Sequence, residues 1–190
     1  MPITAYPIRT PRLLIRPFVE RDLDDLFAIQ SRKDVTKYLY WSPRDRVEVG
    51  EVLRAWTVPP AMDAEGQSLV LAAELQGSSR VIGSLFLFLR SVEHRQGEIG
   101  FVFNPDHGGQ GLATEGAAEI LRIGFEGLNL HRLYGRCDGR NQASVRLMGR
   151  LGMRQEAHLI QNERVKGEWT DELIFAILAE EWRTREGARG

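Results

Sequence analysis

From Gly97 to Cys137 the chain reads as strand, glycine-rich turn, amphipathic helix and strand, a unit that closes by laying its two strands in one sheet. The helix is marked by Ala113, Ala117, Ile120, Leu121, Phe125 and Leu128, which recur at steps of three and four. Upstream, Leu69–Leu75 and Val81–Leu89 are apolar runs of strand length, and Gln76-Gly77-Ser78-Ser79 between them supplies turn chemistry for an antiparallel hairpin. Gly97–Phe103 adds a third strand, closed by Asn104-Pro105-Asp106. Antiparallel strands followed by a helical crossover give an α/β fold: a mixed, largely antiparallel central sheet flanked by helices. A purely parallel doubly wound sheet and a closed barrel are both excluded.

The rest of the chain extends this frame. Leu13–Arg16 reads as a first strand stopped by Pro17. Asp22 opens a helix carrying Leu23, Leu26, Phe27 and Val35, and Ser42-Pro43 starts another that runs through Val47, Leu53 and Trp56 to Pro59-Pro60. Asn141–Leu151 is a helix stopping at Gly152, Leu173–Leu178 a late strand, and Glu186–Gly190 a frayed tail. At 190 residues without linker or repeat, a single domain over 1–190 is expected.

Composition narrows the function. The 25 basic and 26 acidic side chains leave a formal charge of −1, which argues against a nucleic-acid binder working by phosphate neutralisation. The 22 arginines against 3 lysines read as an arginine-rich solvated surface. The one cysteine, Cys137, cannot form an internal disulfide, and no Cys/His cluster has metal spacing. The longest apolar run, Leu85–Leu89, is far short of the ~20 residues that cross a bilayer. No basic-then-apolar signal pattern opens the sequence, so a cytoplasmic protein without a membrane partner is expected.

The turn itself suggests chemistry. Between Phe103 and Glu115, Gly108, Gly109 and Gly111 lead straight into a helix, whose first N–H groups lack intrahelical partners and carry partial positive charge. Such a turn suits a phosphate, although a plain tight turn has the same composition. A nucleoside-triphosphate loop is absent, since no lysine lies between Lys37 and Lys166. A dinucleotide fingerprint is nearly met by Gly109-Gln110-Gly111, with Thr114 at the third glycine position and Asp138 as a ribose-binding acid.

Gly109-Gln110-Gly111-Leu112-Ala113-Thr114-Glu115 resembles the acetyl-coenzyme-A pyrophosphate loop of the GNAT N-acetyltransferases. Thr10-Pro11-Arg12-Leu13-Leu14-Ile15-Arg16-Pro17, Glu98-Ile99-Gly100-Phe101, Asn141-Gln142-Ala143-Ser144 running to Leu151-Gly152-Met153, Trp169-Thr170-Asp171 and Glu181-Trp182 strengthen the match over about residues 8–183. Together they are similar to the ribosomal-protein-alanine (RimJ/RimL-type) branch. The resemblance implies a sheet splayed where acetyl-CoA inserts. It also implies that the N–H groups of Gly109, Gly111, Leu112, Ala113 and Thr114, within the loop Gly108–Thr114 that includes Gln110, hold the pyrophosphate. The backbone of Phe101, Val102 and Phe103 would pair with the pantetheine amides as an added strand does. The family's usual arginine, glutamine or aromatic at the head of the loop is Gly108 here.

By the same resemblance Asn141 contacts the pantetheine arm, a place that a helix N-cap also explains, and Ser144 lies near the thioester sulfur. Some members carry a tyrosine seven residues after that asparagine to protonate the departing thiolate; Met148 stands there, which passes the role to Ser144, directly or through water. The acceptor must be a neutral amine. An α-amine with pKa ~7.8 is roughly 15% neutral at pH 7 and a lysine about 0.04%, a difference of about 3.5 kcal/mol in deprotonation cost. That favours a protein N-terminus as partner over a side-chain amine.

Glu98 on its central strand is the expected base, or else a structural ion pair, with Asp171 behind it. Tyr38, Tyr40 and Trp41 either wall an acceptor groove or pack in the core. Cys137 reads as a buried small apolar residue, and His107 as a surface residue beside the loop. The expected activity is direct acetyl transfer from acetyl-CoA to a primary amine, with no metal, by a monomer or homodimer. A small-molecule amine acetyltransferase, or a non-catalytic acyl-CoA-binding module, is the other reading.

Overall fold

The computed structural model describes residues 6–187. Its centre is one eight-stranded sheet in the order β1-β2-β3-β4-β5-β6-β8-β7. The strands are β1 Ile8–Arg9, β2 Leu13–Pro17, β3 Ser68–Leu75, β4 Arg80–Ser91, β5 Gln96–Phe103, β6 Arg132–Asp138, β7 Arg154–Val165 and β8 Glu168–Leu178. All neighbours run antiparallel except β5 and β6, the parallel pair that the crossover demands.

Alternation along β3 divides the apolar side chains between two cores. Leu69, Leu71 and Ala73 face one side, where they meet Leu112, Ala117, Ile120 and Leu121 of α4 (Leu112–Arg122) and Leu147 and Leu151 of α5 (Gln142–Leu151). Val70 and Ala72 face the other, under Leu26 of α1 (Leu23–Gln30) and Val49 and Leu53 of α3 (Arg46–Trp56). Between α1 and α3 lies the short α2 (Lys33–Thr36), and α6 (Ala179–Gly187) returns Trp182 to the first core.

A buried ion triad ties β2 to its surroundings. Arg16 donates to both oxygens of Asp22 at 2.7 and 2.8 Å and, from Nε, to Glu74 at 2.7 Å. The three residues are 9%, 3% and 7% exposed.

Several expected elements move. The helix expected from Ser42-Pro43 starts at Arg46, because Asp45 accepts from the N–H groups of Val47 and Glu48 at 2.8 and 2.9 Å while Glu48 answers from its third position. Val35 does not continue the face of Leu23, Leu26 and Phe27; α1 ends at Gln30 and Val35 belongs to α2. Past Arg122 the crossover helix loosens into a π-helical turn, Ile123–Gly127. The late strand starts at Glu168 and pairs with β7. Glu186 and Gly187 close α6, so the expected tail is helical at its first two residues and otherwise lies outside the described residues.

Candidate active site

β5 and β6 pair only at Gln96↔Arg132, Gly97↔Leu133 and Glu98↔Tyr134. Beyond those residues β5 keeps β4 as its partner up to Gly83↔Phe103, and β6 keeps β8 up to Asp138↔Glu172. The two strands therefore part, and the sheet is splayed as expected. A cavity of about 820 Å³ occupies the gap, and α4 and α5 start at its rim. Phe101, Val102 and Phe103 line one wall, half-buried, and among the described residues no strand pairs with them on that side.

At the phosphate end, the main-chain donors sort into two groups. The N–H of His107 goes to the Asn104 carbonyl (3.1 Å), that of Gly108 to Pro105 (2.8 Å) and that of Glu115 to Gly111 (3.0 Å). Among the described residues, the N–H groups of Gly109, Gln110, Gly111, Leu112, Ala113 and Thr114 have no main-chain or side-chain acceptor. Gly109 and Gly111 sit at φ +75° and +78°, the left-handed conformation that lets the chain turn here, and Gly111 is the residue before the first turn of α4. The Thr114 hydroxyl is buried, unpartnered and on the cavity wall. Six free N–H groups, a helix N-terminus and an orphan hydroxyl suit a diphosphate. Gly108 faces the cavity but its own N–H is engaged, whereas Gln110 turns its carbonyl outward and lies off the wall.

Asn141 caps α5, its Oδ1 accepting from the Ser144 N–H at 3.2 Å, and lines the cavity. Ser144 lies half-buried on the same wall. Met148 is buried, 1% exposed, where some family members carry a tyrosine.

The opposite end of the cavity is charged. Arg136 of β6 reaches three carboxylates: Glu98 at 3.3 Å, Glu172 at 2.8 Å and Glu163 at 3.5 Å. Glu98, 8% exposed, also receives Arg90 at 2.8 and 2.9 Å, so both its oxygens are engaged. Burial pulls the Arg136 guanidinium down, but Glu98 and Glu172 outweigh it and hold the group above its ordinary value. Glu172, 5% exposed, takes a second bond from Asn162 Nδ2 at 2.8 Å. Burial outweighs Arg136 here and, with Glu163 beside it, lifts the Glu172 carboxyl above the usual range.

Tyr40 donates its hydroxyl to Glu163, and Tyr38, Tyr40 and Trp41 all line the cavity. Asp171 accepts from the Gln161 N–H at 2.9 Å and faces His158 at 2.8 Å; those bonds hold it below the usual carboxylate range. Burial pushes the Cys137 thiol up to about 11, consistent with a packed rather than nucleophilic sulfur. Among the described residues, no three His, Cys, Asp or Glu side chains are placed to hold a metal ion, and no helix is long and apolar enough to cross a membrane.

The acetyltransferase (GNAT) domain family matches residues 12–154 of this chain. The protein named uncharacterized N-acetyltransferase YnaD, from Bacillus subtilis, is 35% identical across 92% of this chain and 98% of its own length. The chain is a GNAT acetyltransferase. The crystal structure of an acetyltransferase (GNAT family) from Bacillus anthracis is similar with a TM-score of 0.82 at 30% identity, covering 92% of this chain and 99% of that one. Spermidine N-acetyltransferase from Vibrio cholerae, solved in complex with CoA and spermine, shares the fold at a TM-score of 0.77 and 22% identity, over 92% of this chain and 99% of its own.

In this GNAT acetyltransferase the sequence-predicted residues converge on one cavity: Glu98, Phe101, Gly109, Thr114, Asn141 and Ser144 all line it. Glu163, Glu172 and Arg136 are the additions. No motif marks them, and Glu172, flanked by Asp171 and Leu173, reads as an ordinary strand carboxylate although β8 buries it.

Proposed function

We propose that this acetyltransferase moves an acetyl group from acetyl-CoA directly to a primary amine, a protein N-terminal α-amine by preference, acting as a single domain over residues 1–190 in the cytoplasm. The observation that carries the reading is the row of unpartnered N–H groups from Gly109 to Thr114 at one end of the splay. The free edge of Phe101–Phe103 receives the pantetheine amides, Asn141 steadies the arm, and Ser144 supplies the departing sulfur with a proton, directly or through water. The amine nitrogen attacks the thioester carbon, the C–N bond forms, the C–S bond breaks, and the nitrogen gives up its proton to a carboxylate. Alignment does most of the work.

Two carboxylates compete for that proton. Glu98 lies on the cavity wall but sits between two guanidiniums. Glu172 is also bonded, yet its burial raises its affinity for a proton, the property a base near neutrality needs. We assign the proton to Glu172, with Glu98 fixing Arg136. A base works deprotonated, so the rate falls as pH drops through its pKa, which for Glu172 lies above the ordinary carboxylate value. Glu172→Gln is expected to lower kcat about a hundredfold and to remove that acid limb, while Glu98→Gln keeps the limb. The reverse outcome returns the role to Glu98. In the same assay Ser144→Ala lowers kcat and leaves coenzyme affinity unchanged.

The charged end also favours a second acceptor class. Glu163, Glu172 and Asp171 on the cavity wall suit a polyamine, and the Vibrio cholerae neighbour was solved with spermine. A turnover panel of peptides with free N-termini, the same peptides blocked at the N-terminus but carrying lysine, and spermidine decides between them. A free N-terminus is expected to give kcat/KM at least about tenfold above the blocked peptide, well inside the deprotonation gap. A preference for spermidine would replace the first reading with the second.

A further inference from the structure

The segment Thr10–Leu13 lies about a hundred positions from the phosphate loop in sequence and is bonded to it at five points. Glu115, in the first turn of α4, accepts from the Thr10 hydroxyl (2.6 Å), the Arg12 N–H (2.8 Å), Arg12 Nε (2.7 Å) and Arg12 Nη2 (2.7 Å). Burial would raise its carboxyl, but these bonds together hold it below the usual range. The remaining arm of the same guanidinium, Nη1, donates to the Gln110 carbonyl at 2.7 Å. The segment is itself fixed, because Gln76 Nε2 donates to the carbonyls of Thr10 (2.6 Å) and Leu13 (3.0 Å), and Gln76 N to that of Arg12 (3.0 Å).

An ion pair whose arginine side chain is 47% exposed contributes little to stability, so stability does not account for this saturation. Geometry does. In a trans peptide the C=O and the following N–H point in opposite directions, so tying the Gln110 carbonyl to Arg12 on the outside aims the Gly111 N–H inward. Gln110 lies between two left-handed glycines, the residues with most freedom to turn that peptide over, and it alone of residues 108–114 is absent from the cavity wall.

We infer that Arg12 is a positioning residue: clamped by Glu115 and Thr10, it holds the Gln110–Gly111 peptide in the orientation that presents the loop's N–H groups to a diphosphate before any ligand arrives. The inference rests on the coenzyme reading above. It assigns a role to the Thr-Pro-Arg-Leu segment, which contributes no residue to the cavity wall.

The test is calorimetry with CoA, paired with turnover of acetyl-CoA and of S-acetylpantetheine, a donor without the diphosphate. Arg12→Ala and Glu115→Gln are each expected to weaken CoA about tenfold, since the loop must then be ordered on binding, and the double variant to be no worse than either. KM for acetyl-CoA rises in step, kcat stays within about twofold, and the variant-to-wild-type ratio for S-acetylpantetheine stays near one. Arg12→Lys keeps the charge without the fork and is expected to behave like the alanine variant.

Three results overturn the inference: unchanged CoA affinity in both single variants, an equal loss with both donors, or a loss on Arg12→Ala that Glu115→Gln does not share. The last would mean that the guanidinium meets the phosphates itself. Should Arg12→Ala not fold, Glu115→Gln and Arg12→Lys make the same comparison. Failure of the wild-type protein to take up CoA sinks the coenzyme reading and this one with it, whereas wild-type uptake with indifferent variants sinks this one alone.

Discussion

Gly111→Val leaves the protein folded and lowers its affinity for CoA by at least about a hundredfold, as two misaligned charge-assisted hydrogen bonds would. Space is not the reason, because a Cβ at Gly111 would meet Arg12 Nη2 only at 3.6 Å. The reason is φ +78°, where a β-branched residue is an outlier. Holding valine there costs ~1–2 kcal/mol, and the chain escapes by turning the Gln110–Gly111 peptide and shifting the start of α4. Either movement takes the N–H groups of Gly111 and Leu112 off the diphosphate. Calorimetry checks the affinity. A fall in Tm of about 5 °C is the companion expectation. Retained affinity with the valine in place would remove the loop from coenzyme binding.

Arg16→Met is the largest expected stability loss. It leaves Asp22 and Glu74 buried at 3% and 7% exposure without the guanidinium that both accept from. Stranding buried charges in this way costs ~3–5 kcal/mol. For a chain of this size that is a drop of roughly 10 °C or more in Tm. The half-exposed pair Arg12–Glu115 is the control, since breaking it should cost under ~1 kcal/mol. Thermal denaturation of both variants tests the contrast. Equal shifts would show that burial does not set the worth of these pairs.

The parts of the fold that were legible before the structure are those where local chemistry and packing agree. The Gln76–Ser79 turn, the stop at Gly152 and the stripe from Ala113 to Leu121 each carry a local cause, and each element lies where that cause puts it. β7 had no such cause. Most of its side chains are exposed, from Arg154 to Val165, and it is a strand because β8 offers it a ladder rather than because it buries a face. Irregular pairing between Leu159 and Glu163 removes even the alternation that would have betrayed it.

The site divides the same way. The phosphate end is built from one contiguous segment, so its glycines announce it. The acceptor end is assembled from β5, β6, β7 and β8, and Glu98, Arg136, Glu163 and Glu172 meet only after the sheet has formed. The resemblance to a family could point to Glu98 but not to the guanidiniums that occupy it.

The parting of β5 from β6 also dictates how this molecule can move. β5 is matched with β4 from Leu89↔Gly97 to Gly83↔Phe103, and β6 with β8 from Arg132↔Leu178 to Asp138↔Glu172. Each side of the gap is thus a continuous ladder, and among the described residues the two ladders meet at three residue pairs, Gln96↔Arg132 to Glu98↔Tyr134, with the Arg136–Glu98 ion pair beside them. A rotation of the C-terminal ladder about that short junction would carry Arg136, Glu172 and the β7–β8 ribbon together, and it would have to break the bonds from Arg136 to Glu98 and from Tyr40 to Glu163.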